Sequence, residues 1–310
     1  IRTRNGFFLF SAEVSATASG EHGLEMTLEK VVKAWEGLPL PVLNHRNQKD
    51  LWILADVTEV TTLIEDHMVT IQTMMGSRFI TDIRDLVSVW DLKINTAADV
   101  LDEWVQVQRS WMYLENIFSA EDIQKQLPAE AAKFQTVDKM WKDVMKKTSQ
   151  NPRVIAAVEV PEGENPAGKL AMFQRCNKLL EEVQKSLEDY LETKRSAFPR
   201  FYFLSNDELL EILAQTRDPQ AVQPHLRKCF DAINRLKFGA EAKSVDILAM
   251  ISPEKEEIAL GRNLKARGNV EDWLMNVQRN MKDALHKLLK QKQRVTKQVL
   301  LKLLLKVLVK

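Results

Sequence analysis

The chain has 310 residues, is 45% apolar and 28% charged, and carries a formal net charge of +1. That balance provides for a buried core under a soluble surface and gives no reason to expect nucleic acid as a partner. No run of about 20 apolar residues occurs, which argues against a membrane span, and two cysteines, Cys176 and Cys229, are too few for a disulfide framework and wrongly spaced for zinc.

A reducing compartment is the simpler reading of those cysteines. Five scattered histidines without an H-E-x-x-H pair give no metal site, and ten Gly with ten Pro leave a composition that favours helices. Residues 1–27 read as an irregular N-terminal segment. Phe7-Phe8-Leu9-Phe10 behind Arg2 and Arg4 is too short for a signal peptide, and the chain reads as a segment of something longer.

From Leu28 the helical period takes over. Leu51, Leu54, Val60, Ile64, His67, Ile71 and Met74 fall at helical steps up to a break at Gly76-Ser77. Phe79, Ile83, Leu86 and Trp90 predict a second, short helix. Ile94, Ala97, Leu101, Trp104, Gln108, Trp111 and Phe118 predict a third with a narrow apolar stripe. Ser119 before Glu121-Asp122 signals a short helical turn ending near Pro128. Phe134, Val137, Trp141 and Val144 define the next helix, stopped by Asn151-Pro152.

A later seam of Phe173, Cys176, Leu180, Val183, Leu187 and Tyr190 ends at Phe198-Pro199. Ser205 with Glu208 forms a capping box for Leu209, Ile212 and Leu213. Asp218-Pro219 opens a helix with Val222, Leu226, Phe230 and Ile233 facing inward. One place reads as strand: Val245, Ile247 and Ala249, a turn at Ser252-Pro253-Glu254-Lys255, then Ile258 and Leu260, giving a β-hairpin over 244–261. Helix resumes at Asn269 as N-cap. The expected domains are 28–160, 161–290 with the hairpin, and a basic, Leu-rich end over 291–310.

Gly163-Glu164-Asn165-Pro166-Ala167-Gly168-Lys169 matches G-x-x-x-x-G-K behind the apolar run Val154–Val158, and so raises the question of a nucleotide site. Several features oppose it. Leu170 stands where Mg²⁺ needs a hydroxyl. Pro166 lacks an N–H to offer phosphate. Glu162 and Glu164 would repel it. Helices flank the motif where a parallel sheet is required, and Trp52–Asp56, which imitates a Walker B strand, sits upstream in a helical period. Gly163, Gly168 and Lys169 therefore read as a decoy phosphate loop, a polar connection between helices. No Ser-His-Asp or Cys-His set can be argued from spacing, so no catalytic residue is assigned. Trp90, Trp104, Trp111 and Trp141 fall on apolar stripes and read as core.

The stretch Arg195–Phe238, "RSAFPRFYFLSNDELLEILAQTRDPQAVQPHLRKCFDAINRLKF", resembles the linker region of dynein heavy chains. The family pattern S-x-F-P-R-F-[YF]-F-[LV] reads here as Ser196 to Leu204, followed by the acidic-apolar helix Glu208 to Leu213. Trp104–Trp141 is similar to W-x-x-V-Q-R-x-W-x-Y-L-E-x-I-F followed by Q-L-P-x-E. Met250–Leu260 and Gly268–Leu274 resemble the family's M-x-S-x-E-G-E-x-V and G-x-V-E-x-W-L. "FLSNDELLEIL" and "DPQAVQPHLRKCFD" look axonemal more than cytoplasmic. The resemblance spans about residues 30–290. Residues 1–25 and Lys297–Lys310 depart from it, and Lys255 replaces the hairpin-turn Gly.

The resemblance implies a mainly α fold: an elongated multi-helix bundle rod with one small β-hairpin. It implies a lever arm between the tail and an AAA+ ring, bending and straightening with ATP turnover in a cilium or flagellum axoneme. The parent would be an ATP-hydrolysing microtubule motor using ATP and Mg. This segment would hold no ATP site, and its partners would be its own ring and tail, other dynein chains and, through the parent, microtubules. Within that frame Phe198, Pro199, Arg200, Phe201 and Tyr202 are candidates for ring docking or a hinge, as is the 161–168 loop for a hinge. The other reading is that alternate aromatics of an extended segment, Phe201 and Phe203, plug the rod's own core. The alternative function is a static helical scaffold or tether.

Overall fold

The structure is a computed structural model that describes residues 2–48, 50–158, 167–214, 218–241, 244–261 and 264–308. The helices are α1 (Arg2–Glu36), α2 (Thr58–Met75), α3 (Arg84–Phe118), α4 (Glu121–Gln126), α5 (Pro128–Gln150), α6 (Val154–Val158), α7 (Ala167–Ala197), α8 (Asn206–Ala214), α9 (Leu226–Cys229) and α10 (Val270–Leu308). The strands are β1 (Val42–Asn44), β2 (Trp52–Leu54), β3 (Arg235–Phe238), β4 (Ile247–Ile251) and β5 (Glu257–Ala259). The chain is mainly α, as expected. It forms two compact units, residues 1–115 with 132–183, and residues 116–131 with 184–310, to both of which α3, α5 and α7 contribute residues.

The first unit is built on tryptophans. Trp104 stacks on Phe173 at 5.0 Å and Trp111 on Trp141 at 5.4 Å, pairs that each add about 0.5–1.5 kcal/mol beyond area burial. Trp111 Nε1 donates to Asp138 at 3.1 Å, and Trp35 Nε1 donates to His67 Nδ1 at 2.8 Å. Burial pushes the His67 imidazole down, toward the neutral form that accepts this bond. The short helix of Phe79 and the stripe from Ile94 are joined differently from the expectation. α3 begins at Arg84 and runs unbroken to Phe118, and Val87 is buried in place of Leu86, which is exposed.

Two further expectations are overturned here. Residues 1–27 are not irregular: α1 starts at Arg2 and packs on α2 and α6. Leu28, Val31 and Trp35 anchor its last turns in the core, and once such a nucleus is fixed each added helical residue costs little. Gly20 helps, because a Cβ there would stand 2.5 Å from the Phe79 ring. Leu51 and Leu54 are not helical either. β1 and β2 pair antiparallel, Val42 opposite Leu54, so Trp52–Leu54 is a hairpin strand and not a Walker B element of a parallel sheet. Three-residue strands are too short to show a period. This one is held from the side, where Gln108 accepts from Leu54 N–H at 2.7 Å and donates to its carbonyl at 2.9 Å.

The second unit carries α4 against α8 and a three-stranded antiparallel sheet in the order β3-β4-β5. The expected hairpin is β4-β5, with Met250 opposite Ile258. β3, which joins its other edge with Leu236 opposite Met250, escaped the sequence reading. Lys255 at the turn adopts φ 68°, the left-handed conformation the family's Gly would take without strain. Gly268 takes φ 79° just before α10. The Asp218-Pro219 helix is a 3-10 helix over Pro219–His225, with Pro224 inside it. Proline has no N–H for an α-helical bond, yet Val222, Leu226, Phe230 and Ile233 are buried as expected. Cys176 and Cys229 are both free and buried, and burial pushes both thiols up to about 11.

The capping box forms in both directions. Glu208 accepts from Ser205 N–H at 3.1 Å, and Ser205 Oγ accepts from Glu208 N–H at 3.3 Å. Ser205→Ala is expected to cost about 1 kcal/mol in urea unfolding. A hydrogen bond from Lys228, then the Ser205 N–H, hold the Glu208 carboxyl at about 2, below its ordinary 4.5. A depressed carboxylate stabilises the fold fully above the ordinary value and loses that contribution as pH falls toward the folded one. Glu208→Gln should therefore be less stable than the parent above pH 4.5, and the two should converge as pH approaches about 2.

Candidate functional site

The stretch from Glu192 to Asn206 lies wholly in the second unit. The last turn of α7 carries Lys194 and Arg195, cations suited to a helix C-terminus. Phe198 is extended, and Pro199 then opens a 3-10 helix over Pro199–Phe203. In such a helix residues three apart lie on one side. The inward set is therefore Phe198, Phe201 and Leu204, with both phenylalanines at 0% exposure. Their rings meet edge-on at 5.0 Å, and Phe198 also reaches Phe230 at 6.2 Å. The expected extended segment with Phe201 and Phe203 on one face is thus corrected. Phe201 plugs the core while Phe203 is 69% exposed.

Arg200 faces inward too. Its Nε donates to Gln278 of α10 at 2.7 Å and its Nη1 to the Cys229 carbonyl of α9 at 2.8 Å, with the guanidinium 4.7 Å from the Phe230 ring centre. Arg195 Nη2 closes the loop by donating to Asn206 Oδ1 at 2.8 Å and to the Leu204 carbonyl at 3.3 Å. Lys194 donates to Glu271 at 2.5 Å in an almost buried ion pair. Pro199 is exposed, and Tyr202 is 55% exposed with its hydroxyl donating to Glu192. The outward aromatic pair is therefore Tyr202 with Phe203. Phe203 is missing from the sequence-based candidates, and the spacing of three among 198, 201 and 204 is the signal that singles it out.

The model of the family described as "Dynein heavy chain, N-terminal region 2" matches residues 10–292. The chain belongs to the dynein heavy chain family. It is 47% identical over 294 residues to dynein axonemal heavy chain 6 of Homo sapiens, covering 90% of this chain and 7% of that protein. It is 44% identical over 275 residues to dynein axonemal heavy chain 1 of Rattus norvegicus, 89% of this chain and 6% of that protein. It is 43% identical over 275 residues to dynein axonemal heavy chain 12 of Mus musculus, 87% of this chain and 9% of that protein. This dynein segment spans less than a tenth of the length of each of these relatives.

Of the phosphate-loop candidates, Gly168 and Lys169 lie in the first unit of this dynein chain. Gly163, with most of the 161–168 loop, lies outside the described residues. Val154–Val158, in the place a phosphate loop gives to a strand, is the helix α6. Lys169 Nζ donates to the Ala157 carbonyl and lies 5.7 Å from the Trp104 ring centre. Burial first, then Lys147, lower the Lys169 pKa. Among the described residues no group of three or more His, Cys, Asp or Glu is placed to hold a metal ion.

Proposed function

We propose that this chain is the linker of an axonemal dynein motor. It is a mechanical lever that bends and straightens as a downstream AAA+ ring turns over ATP with Mg²⁺, driving microtubule-based ciliary motility. The observation that carries the reading is the family match over residues 10–292, joined to the fastening of its Ser196–Leu204 motif. In this reading the segment itself holds no ATP site, and Lys169 serves packing. Tyr202 and Phe203, exposed on a 3-10 turn that Arg195 and Arg200 tie down, are the contact to the ring, since a rigidly mounted aromatic pair loses little freedom on docking. The same hydrogen bonds favour docking over a hinge, because bending at this turn would break them. The location is the axoneme, and the partners are the chain's own ring and tail, other dynein chains and, through the whole motor, microtubules.

The test is a distance between probes at the two ends of this segment within the whole motor. It is expected to change between nucleotide-free and ATP-bound states and to stay constant when the ring is removed. A distance that stays fixed with the ring present means a static scaffold or tether, and the lever reading fails.

A further inference from the structure

The core-facing stripe of α10 outruns the elements that cover it. Val270, Leu274 and Val277 are 3%, 0% and 0% exposed, but Leu285 and Leu288, which continue the same helical spacing, are 40% and 44% exposed, and Leu289 beside them is 60% exposed. Lys287 and Lys290 are exposed and lie, at 100° per residue, on the opposite side of the helix from that stripe. Residues 282–310 carry nine Lys or Arg, at 282, 287, 290, 292, 294, 297, 302, 306 and 310, against a single acid, Asp283. The family match ends at residue 292, inside this tract.

We propose that the distal part of α10 is the docking helix for an acidic protein with an apolar groove that closes around it, of the kind built from EF-hands. Apolar anchors three and four residues apart with cations around the remaining circumference are what such a groove and its acidic rim take. Three observations favour this over a membrane surface. Residues 282–310 contain no Trp, Tyr or Phe to seat at a headgroup level. Lys292 falls at a stripe position after Leu285 and Leu288 and so interrupts the continuous apolar face that a membrane surface takes. Lys287 and Lys290, exposed on the side away from the leucines, would stay in water on a membrane surface but come within reach of a groove that closes around the helix. The inference does not depend on the lever reading.

The test uses the full 310-residue chain, with Ca²⁺-loaded calmodulin as the acidic, grooved probe and phosphatidylserine-containing vesicles as the competing surface. Saturable binding to calmodulin at physiological salt is expected, weakened by about tenfold or more in Leu285→Asp/Leu288→Asp and again in Lys287→Glu/Lys290→Glu. All four side chains are exposed, so helix content by circular dichroism should be unchanged in both variants. Absence of binding to calmodulin overturns the proposal, as does binding to vesicles alone. So does binding that the lysine reversals abolish but the leucine substitutions leave intact, which is bare charge attraction.

Discussion

Phe201→Ala should lower the unfolding free energy by about 3–5 kcal/mol, the range for deleting a fully buried aromatic side chain. Phe201 has no solvent exposure and closes edge-on against Phe198. Truncation leaves a cavity beside Phe198 that the segment cannot readily collapse, because the neighbouring Arg200 is fixed to Gln278 and Cys229. Phe203→Ala, two residues on, should change stability by no more than about 0.5 kcal/mol, since it removes an exposed ring. Urea unfolding of both variants checks the pair. Equal costs would mean that the 3-10 spacing does not decide which ring faces inward.

Lys194→Met should be nearly as damaging, at about 3–5 kcal/mol, because it leaves a charge buried without compensation. Lys194 and Glu271 are only 13% and 7% exposed, and the second carboxylate oxygen of Glu271 is buried without a hydrogen-bond partner. The pair is not thereby a net source of stability, since desolvating two ions offsets much of their attraction. Lys194→Met/Glu271→Met should accordingly recover most of the loss, within about 1–2 kcal/mol of the parent. A double variant as unstable as the sum of the two single ones would show that the two groups act independently, contrary to the contact.

What could be read from sequence follows from how each element is encoded. Long helices repeat their apolar signal many times. The stripes through Trp104, Trp111 and Trp141, and through Phe173 to Leu187, reappear as buried residues. The capping box is local chemistry, and Ser205 and Glu208 make it as expected. The β1-β2 hairpin is too short to repeat anything, and the Leu54 backbone is satisfied by Gln108, which lies 54 residues away. α1 was hidden because its glycines and small polar residues carry weak propensity, and what favours it is packing, including the approach of Gly20 to Phe79. At the candidate site the motif was legible but its direction was not. An extended chain alternates by two and a 3-10 turn by three, and that difference moves Phe203 from inside to outside.

The two buried thiols have a consequence for how this chain meets its chemical surroundings. Cys176 and Cys229 are the only cysteines in the sequence; both are free and enclosed, and burial, which pushes both thiols up to about 11, further disfavours the thiolate. Thiolate is the species that reacts with electrophiles, disulfides and peroxides. The thiols of the folded segment are therefore shielded from the glutathione or peroxide that would modify an exposed cysteine. A single cysteine placed on its surface becomes its one addressable thiol, and the native pair reports unfolding by becoming reactive.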